Sequence, residues 1–116
     1  MAFKFENLRV WQRAMDLNEK IFQLSKNLPG DERYNLTSQI KRAADSVVLN
    51  IAEGSTSQSN PEFNRFLGYS LRSVVEVVCA LFIAKRRNYI DAGQFDELYS
   101  FCEELSKMIQ SLRKTL

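Results

Sequence analysis

Apolar residues recur along this chain at alternating spacings of three and four, the period of a helix with one buried face. Val10, Ala14, Leu17, Ile21, Leu24 and Leu28 form a heptad seam. The seam predicts a first helix from about Asn7 to Asn27, with Trp11, Met15 and Phe22 as a flanking stripe that widens its buried face. Leu28-Pro29-Gly30 ends it, because the residue before proline is pushed out of the helical region. A second helix is predicted from Tyr34–Leu36 to Gly54 on the stripe Leu36, Ile40, Ala43, Val47 and Ile51, with Ala44 and Val48 beside it. Ala43 and Ala44 allow another helix to approach closely, and Gly54 reads as the residue just past the helix end. Ser55-Thr56-Ser57-Gln58-Ser59 has no periodicity and reads as a loop.

Asn60-Pro61-Glu62-Phe63 is a helix start, with Asn60 as cap, Pro61 in the first turn and Glu62 favoured by the helix dipole. The third helix is predicted to reach about Arg87. Its segment Val74–Ala84 is apolar on nearly every side and is interrupted only by Glu76. A bundle of this size cannot bury one helix all round, so this segment predicts an oligomer in which a neighbouring subunit covers the outer face. Asp91-Ala92-Gly93-Gln94 resembles a capping box and opens a fourth helix with the seam Phe95, Leu98, Cys102, Leu105, Ile109, Leu112 and Leu116. Short connections favour antiparallel neighbours. The expected fold is all-α: one domain over residues 1–116, an antiparallel up-down-up-down four-helix bundle with left-handed coiled-coil-like packing.

Composition narrows the function classes. A chain of 116 residues, 45% hydrophobic and 26% charged, can fill a core without metal or disulfide staples. Its net charge of +2 is too small to demand an anionic partner. The chain has no histidine, which removes the usual general base near neutral pH and the commonest metal ligand. Cys79 and Cys102 are isolated within apolar patterns and cannot make a four-ligand zinc site. No glycine-rich phosphate loop is present. No catalytic residue, metal or cofactor is therefore expected, and an enzyme is disfavoured. Met1–Glu6 lacks the apolar stretch of a secretory leader, so a cytoplasmic setting is expected. The nearly apolar run Val74–Ala84, 11 residues long, is too short to span a bilayer, and no membrane association is expected.

Polar residues inside the helical patterns need partners. Glu76 is expected to pair with Arg42 or Arg72, or to bond to Gln39 or Asn50; the other reading is a proton-active or ligand-binding acid. Asn50, beside the seam, satisfies a helix end or a polar neighbour, or fixes register. Glu53 sits badly with the dipole at a helix C-terminus, which predicts an arginine or a backbone donor nearby. Lys85-Arg86-Arg87 is the densest basic cluster. It complements a helix C-terminus, or it contacts phosphates. Lys41-Arg42 and the pair Arg9 and Arg13 are further candidates for phosphate contacts, with Arg13 also at pairing distance from Asp16. Tyr89 either packs at a helix end or stacks on a base.

Three stretches together resemble the four-helix-bundle family of proteins encoded in 23S rRNA intervening sequences. They are Phe5-Glu6-Asn7-Leu8-Arg9-Val10-Trp11-Gln12; then Leu28-Pro29 with Tyr34, Leu36 and Gln39–Gly54, ending in Asn50-Ile51-Ala52-Glu53-Gly54; and Glu62-Phe63 with Phe66-Leu67, Ser73 and Glu76. That family is in turn similar to accessory proteins of diversity-generating retroelements. The resemblance implies a homopentamer with a positively charged surface, a nucleic-acid ligand and no enzymatic activity. The chain departs from the family in carrying Ser46-Val47-Val48 where Ser-Ile-Pro is usual, and Arg72 where glycine is common. Arg72 thereby joins the candidate phosphate contacts. Two functions follow as expectations: an oligomeric bundle that binds structured RNA or DNA, or a scaffold that recruits a protein partner.

Overall fold

The periodic seams become helices that share one core. The computed structural model describes residues 2–116, with α1 Arg9–Ser25, α2 Leu36–Ser55, α3 Asn60–Arg86 and α4 Ala92–Arg113. Short 3₁₀ turns cover Lys4–Asn7 and Gly30–Glu32, and no strand occurs among the described residues. Consecutive helices pack side by side and α4 closes on α1, while the diagonal pairs do not meet. This is the antiparallel up-down-up-down bundle that the seams predict. At about 1.5 Å per residue, α3 spans roughly 40 Å, which accounts for the long axis of a molecule measuring 44 × 23 × 23 Å.

Val10, Ala14, Leu17, Ile21 and Leu24 of α1 are buried, as are all seven stripe residues of α2. Phe95, Leu98, Cys102, Leu105 and Ile109 bury the α4 seam, whereas Leu112 and Leu116 are half-buried near the chain end. The flanking stripe of α1 is not core: Met15 and Phe22 are exposed and Trp11 is half-buried, edge-on to Phe5 at 4.8 Å. A bundle of four helices needs only about a third of each surface, so the stripe falls outside the seam.

Two helix ends differ from expectation. Gly54 lies inside α2, which runs one residue further, and it has no positive φ. It is a contact residue: a Cβ there would stand 2.7 Å from Phe66 Cβ and 3.0 Å from a Phe63 ring carbon. The cap of α3 is Ser59, whose hydroxyl accepts from Glu62 N, and Asn60 is already helical. Pro61 shifts to the second helical position, still within the turn whose N–H groups have no helical partner. Asp91 caps α4, and Gln94 reciprocates to its backbone at 3.0 Å.

The helices meet most extensively at α2 and α3, with serines and a glycine at several points of the contact. Ser70 Oγ donates to the Val47 carbonyl at 2.7 Å, and Ser73 Oγ donates to Ser46 Oγ at 2.9 Å. Asn50 donates to both the carbonyl and the hydroxyl of Ser46 at 2.9 Å, which satisfies it within its own helix. The outer side of α3 remains uncovered in a single chain: Val75 is 66% exposed, Phe82 51% and Ile83 37%. Glu76 also lies on that exposed side, so it is not a buried carboxylate, and no side-chain hydrogen bond or ion pair among the described residues involves it. Taken whole, α3 is long and apolar enough to cross a membrane by length and composition, with a mean hydropathy of 1.7 over its best window. That exceeds what the 11-residue run suggests. Nine of its residues between Phe63 and Ala84 are nevertheless buried in the bundle.

Gly54→Ala separates contact from propensity. Alanine is favoured over glycine within a helix by about 0.8–1.0 kcal/mol, whereas overpacking a tight contact costs about 1–3 kcal/mol. With Phe66 Cβ at 2.7 Å the contact dominates, and urea denaturation will show a net loss of stability. A variant as stable as the parent or more so refutes the close approach.

Candidate nucleic-acid interface

The expected basic residues are distributed around the bundle, and several are engaged internally. Arg13 pairs with Glu104 of α4 at 3.2 Å, not with Asp16, and its guanidinium lies 4.1 Å from the Phe101 ring centre. The interhelical partner wins because Phe101 holds the guanidinium toward α4. Lys85 sits over Phe95 at 4.5 Å, and Lys41 over Phe22 at 5.6 Å. Arg9, Arg42 and Arg86 are exposed and take part in none of the ion pairs. Among the structural polar candidates, Gln39 is exposed and donates to Asn35 at 3.2 Å. Glu53 is exposed and its side chain finds neither the arginine nor the backbone donor expected; Thr56 bonds to its carbonyl instead.

Arg87 and Tyr89 have an internal task. Alpha-3 ends in a Schellman turn: Tyr89 N donates to the Ala84 carbonyl at 2.9 Å and Asn88 N to the Lys85 carbonyl at 3.0 Å, with Asn88 at φ 60°. The turn aims Arg87 and Tyr89 at one buried carboxylate, Glu32. Arg87 Nη1 and the Tyr89 hydroxyl both donate to Glu32 Oε2 at 2.8 Å. Its other oxygen accepts from Asn35 Nδ2 at 3.1 Å and, weakly, from Leu36 N at 3.5 Å, at the N-terminus of α2. The Tyr89 hydrogen bond, the Asn35 and Leu36 donors and the Arg87 charge together hold the Glu32 carboxyl below its ordinary range, against the opposing effect of burial. The bond to Glu32, with burial, raises the Tyr89 phenol. Tyr89 is therefore a packed, hydrogen-bonded residue and Arg87 is half of an ion pair. Glu32 escaped notice in the sequence because it stands outside every helical period. A carboxylate shortly before a helix start was the available signal.

A groove of about 910 Å³ between α1 and α4 is lined by Arg13, Lys20, Asp16, Glu19 and Glu97 among others. Its charges are balanced, with Lys20 bonded to Glu97 at 3.2 Å and Arg13 to Glu104. The groove between α3 and the C-terminal half of α4 is different. One section, about 360 Å³, is lined by Arg65, Arg72 and Arg113 around Gly68 and Tyr69. The adjoining section, about 610 Å³, shares Leu71 and Val75 with it and adds Lys107 and Lys114. Neither section has a carboxylate in its lining, and none of these five cations belongs to an ion pair among the described residues. Only Arg72 of the five stood out in the sequence. The others lie on two helices far apart along the chain, and only antiparallel packing joins them.

Reactive groups are few. Burial pushes the Cys102 thiol up to about 12, whereas Cys79 is exposed. Among the described residues no group of three or more His, Cys, Asp or Glu could hold a metal ion.

With this geometry in view, comparison with known proteins is informative. The family model described as 23S rRNA-intervening sequence protein matches residues 6–111. A crystal structure of a protein with unknown function from the S23 ribosomal protein family of Bacteroides thetaiotaomicron superposes with a TM-score of 0.84 at 25% identity, covering 90% of this chain and 98% of that one. No curated protein matches the chain.

The Glu32 cluster predicts a pH signature. A carboxyl held below its usual value of 4.5 contributes stability that is complete above that value and lost as pH falls through the lower folded value. Glu32→Gln will lower the unfolding midpoint at pH 7, and its gap from the parent will close toward pH 3. Tyr89 has the opposite sign: its contribution is complete below pH 10 and is lost as pH rises through the raised folded value. A Glu32→Gln gap of constant size from pH 7 to pH 3 contradicts the ionised cluster.

Proposed function

The chain belongs to the 23S rRNA-intervening sequence protein family, and from that premise we propose that it is a non-catalytic, oligomeric helical bundle that binds structured RNA or DNA through surface cations. The observation that carries the reading is the cation-lined part of the groove between α3 and α4, whose two sections have no carboxylate in their lining, with the acid Glu103 in the section beyond. A chain with a net charge of +2 places five cations along it. Local concentration, not net charge, sets the potential that a phosphate backbone meets. Arg9, Lys41, Arg42, Lys85 and Arg86 add exposed positive charge elsewhere on the surface, suited to sequence-independent contacts.

The oligomer rests on a separate observation. Phe82 and Ile83 of α3 and Leu49 of α2 expose apolar area that a second copy would cover. The resemblance implies five copies. Native mass will be a multiple of 13.5 kDa, and Ile83→Glu, at a position 37% exposed, will shift it toward one chain while leaving helicity unchanged. A parent of single-chain mass refutes the assembly.

Binding is tested by titrating the protein with structured ribosomal RNA and with duplex DNA at several salt concentrations. Micromolar or tighter binding that weakens steeply with salt is expected. No binding at low salt refutes this reading and favours a scaffold for a protein partner.

A further inference from the structure

We propose that the arginine section of the α3–α4 groove is a pocket for one unpaired nucleotide of a nucleic-acid strand, with the phosphate on Arg65, Arg72 and Arg113 and the base against Tyr69. The assignment rests on the nucleic-acid reading above and names the part of the ligand that the groove takes.

Arg113 is already oriented for this contact. Its Nε donates to Asn64 Oδ1, which leaves both terminal nitrogens free to present a fork to a phosphate. That fork lies over Gly68, 3.5–3.7 Å from where a Cβ would stand. Gly68 and Arg113 both line the pocket. Arg65, Tyr69 and Arg72 follow at spacings of four and three, so they share one face of α3 and border the same space. Helix-dipole complementarity explains a cation at Arg113, near the end of α4, but not one at Arg65, in the second turn of α3. Glu62 and Glu76, one turn from Arg65 and Arg72, form no ion pair with either.

Size and surface select the ligand. A space of about 360 Å³ with Tyr69 at its edge and Leu71 and Val75 in its lining suits a single base with its phosphate. It is too small to admit a base-paired helix, which could offer only outer phosphates. Tyr69 is 38% exposed, and its ring is braced edge-on against Phe66 at 5.6 Å. Arg72 lies 5.9 Å from the centre of that ring. An exposed, braced aromatic flanked by arginines is a stacking platform for an unpaired base. Lys107 and Lys114 continue the positive lining into the neighbouring section, along the path of a strand leaving the pocket.

The test uses fluorescence anisotropy with a mixed-sequence RNA of about 12 nucleotides, inside the roughly 4–16 nucleotide span of single-strand sites. The RNA is presented alone and annealed to its complement. The strand is expected to bind more tightly than its duplex. Arg65→Gln with Arg72→Gln will weaken strand binding at least about tenfold and reduce the salt slope by up to about 0.7, the increment for the one phosphate they share with Arg113. Tyr69→Ala will weaken the strand by roughly 5- to 100-fold while leaving the duplex affinity and salt slope unchanged. Tyr69→Leu, which keeps an apolar contact to Phe66, serves if the alanine variant loses its helical circular dichroism. Lys20→Gln, in the charge-balanced groove between α1 and α4 where Lys20 pairs with Glu97, will bind as the parent does. If the parent binds RNA and the groove variants bind equally well, the pocket is overturned while the nucleic-acid reading stands. If the parent binds neither form at low salt, both fall.

Discussion

The close approach of α2 and α3 is the constraint from which the rest of the molecule follows. Small groups stand at several points of that long contact: Ser46, Gly54, Ser70 and Ser73. Serines in such a contact bring buried hydroxyls, which cost stability unless they are bonded. Ser70 bonds to the α2 backbone, and Ser73 joins the Ser46–Asn50 group, so the polar atoms at the contact are satisfied. Packing α3 tightly on α2 fixes which side of α3 is core. The remaining apolar side, with Val75, Ile83 and the outer edge of Phe82, whose ring meets Phe95 of α4 edge-on at 4.8 Å, is then left partly open in a single chain. The exposed face is a geometrical consequence of the small-residue contact.

The two ends of the bundle use charge in different ways. At one end, Glu32 gathers donors from α2, from the end of α3 and from the turn that follows, so its ionised form is satisfied on both oxygens. A carboxylate bonded in this way ties the start of α2 to the end of α3 and to the turn that follows. Arg87 is engaged there through Nη1 by the Glu32 carboxylate. At the other end, the cations bordering Gly68 have no carboxylate opposite them. Arg113 is held through Nε by a neutral amide, which restrains its position without cancelling its charge.

Helix number, order and most of the core were legible because the heptad seams are strong and the caps specific. Every seam residue of α1 except Leu28 is buried, and the Asp91 capping box forms as written. What the pattern could not convey was three-dimensional company. Gly54 looked like a terminator because glycine often follows a helix, whereas its task is to admit Phe63 and Phe66. Glu76 looked buried because its neighbours are apolar, yet those neighbours include the exposed side of α3. Lys85-Arg86-Arg87 stood out because the three are adjacent in sequence, but adjacency along a helix sends side chains in different directions. One of them stacks on Phe95 and another binds Glu32. Arg65 and Arg113 are 48 positions apart in the chain and drew no notice, although the fold brings them to one groove.

The pairing pattern explains how a nearly neutral chain can still present a local positive field. Helix α4 carries Asp96, Glu97, Glu103 and Glu104, against Lys107 and Arg113. Glu97 and Glu104 are used on the side facing α1, where Lys20 and Arg13 meet them. That consumes cations and carboxylates together and leaves the α1–α4 groove balanced. The cations on the opposite side of α4 come after the last of these acids, at Lys107, Arg113 and Lys114, and they face the arginines of α3. Like charges gathered this way repel one another, and each is costly to hold in place without a counter-ion. The arrangement concentrates positive potential on one side of α4, and that local field is what the proposed nucleic-acid reading rests on.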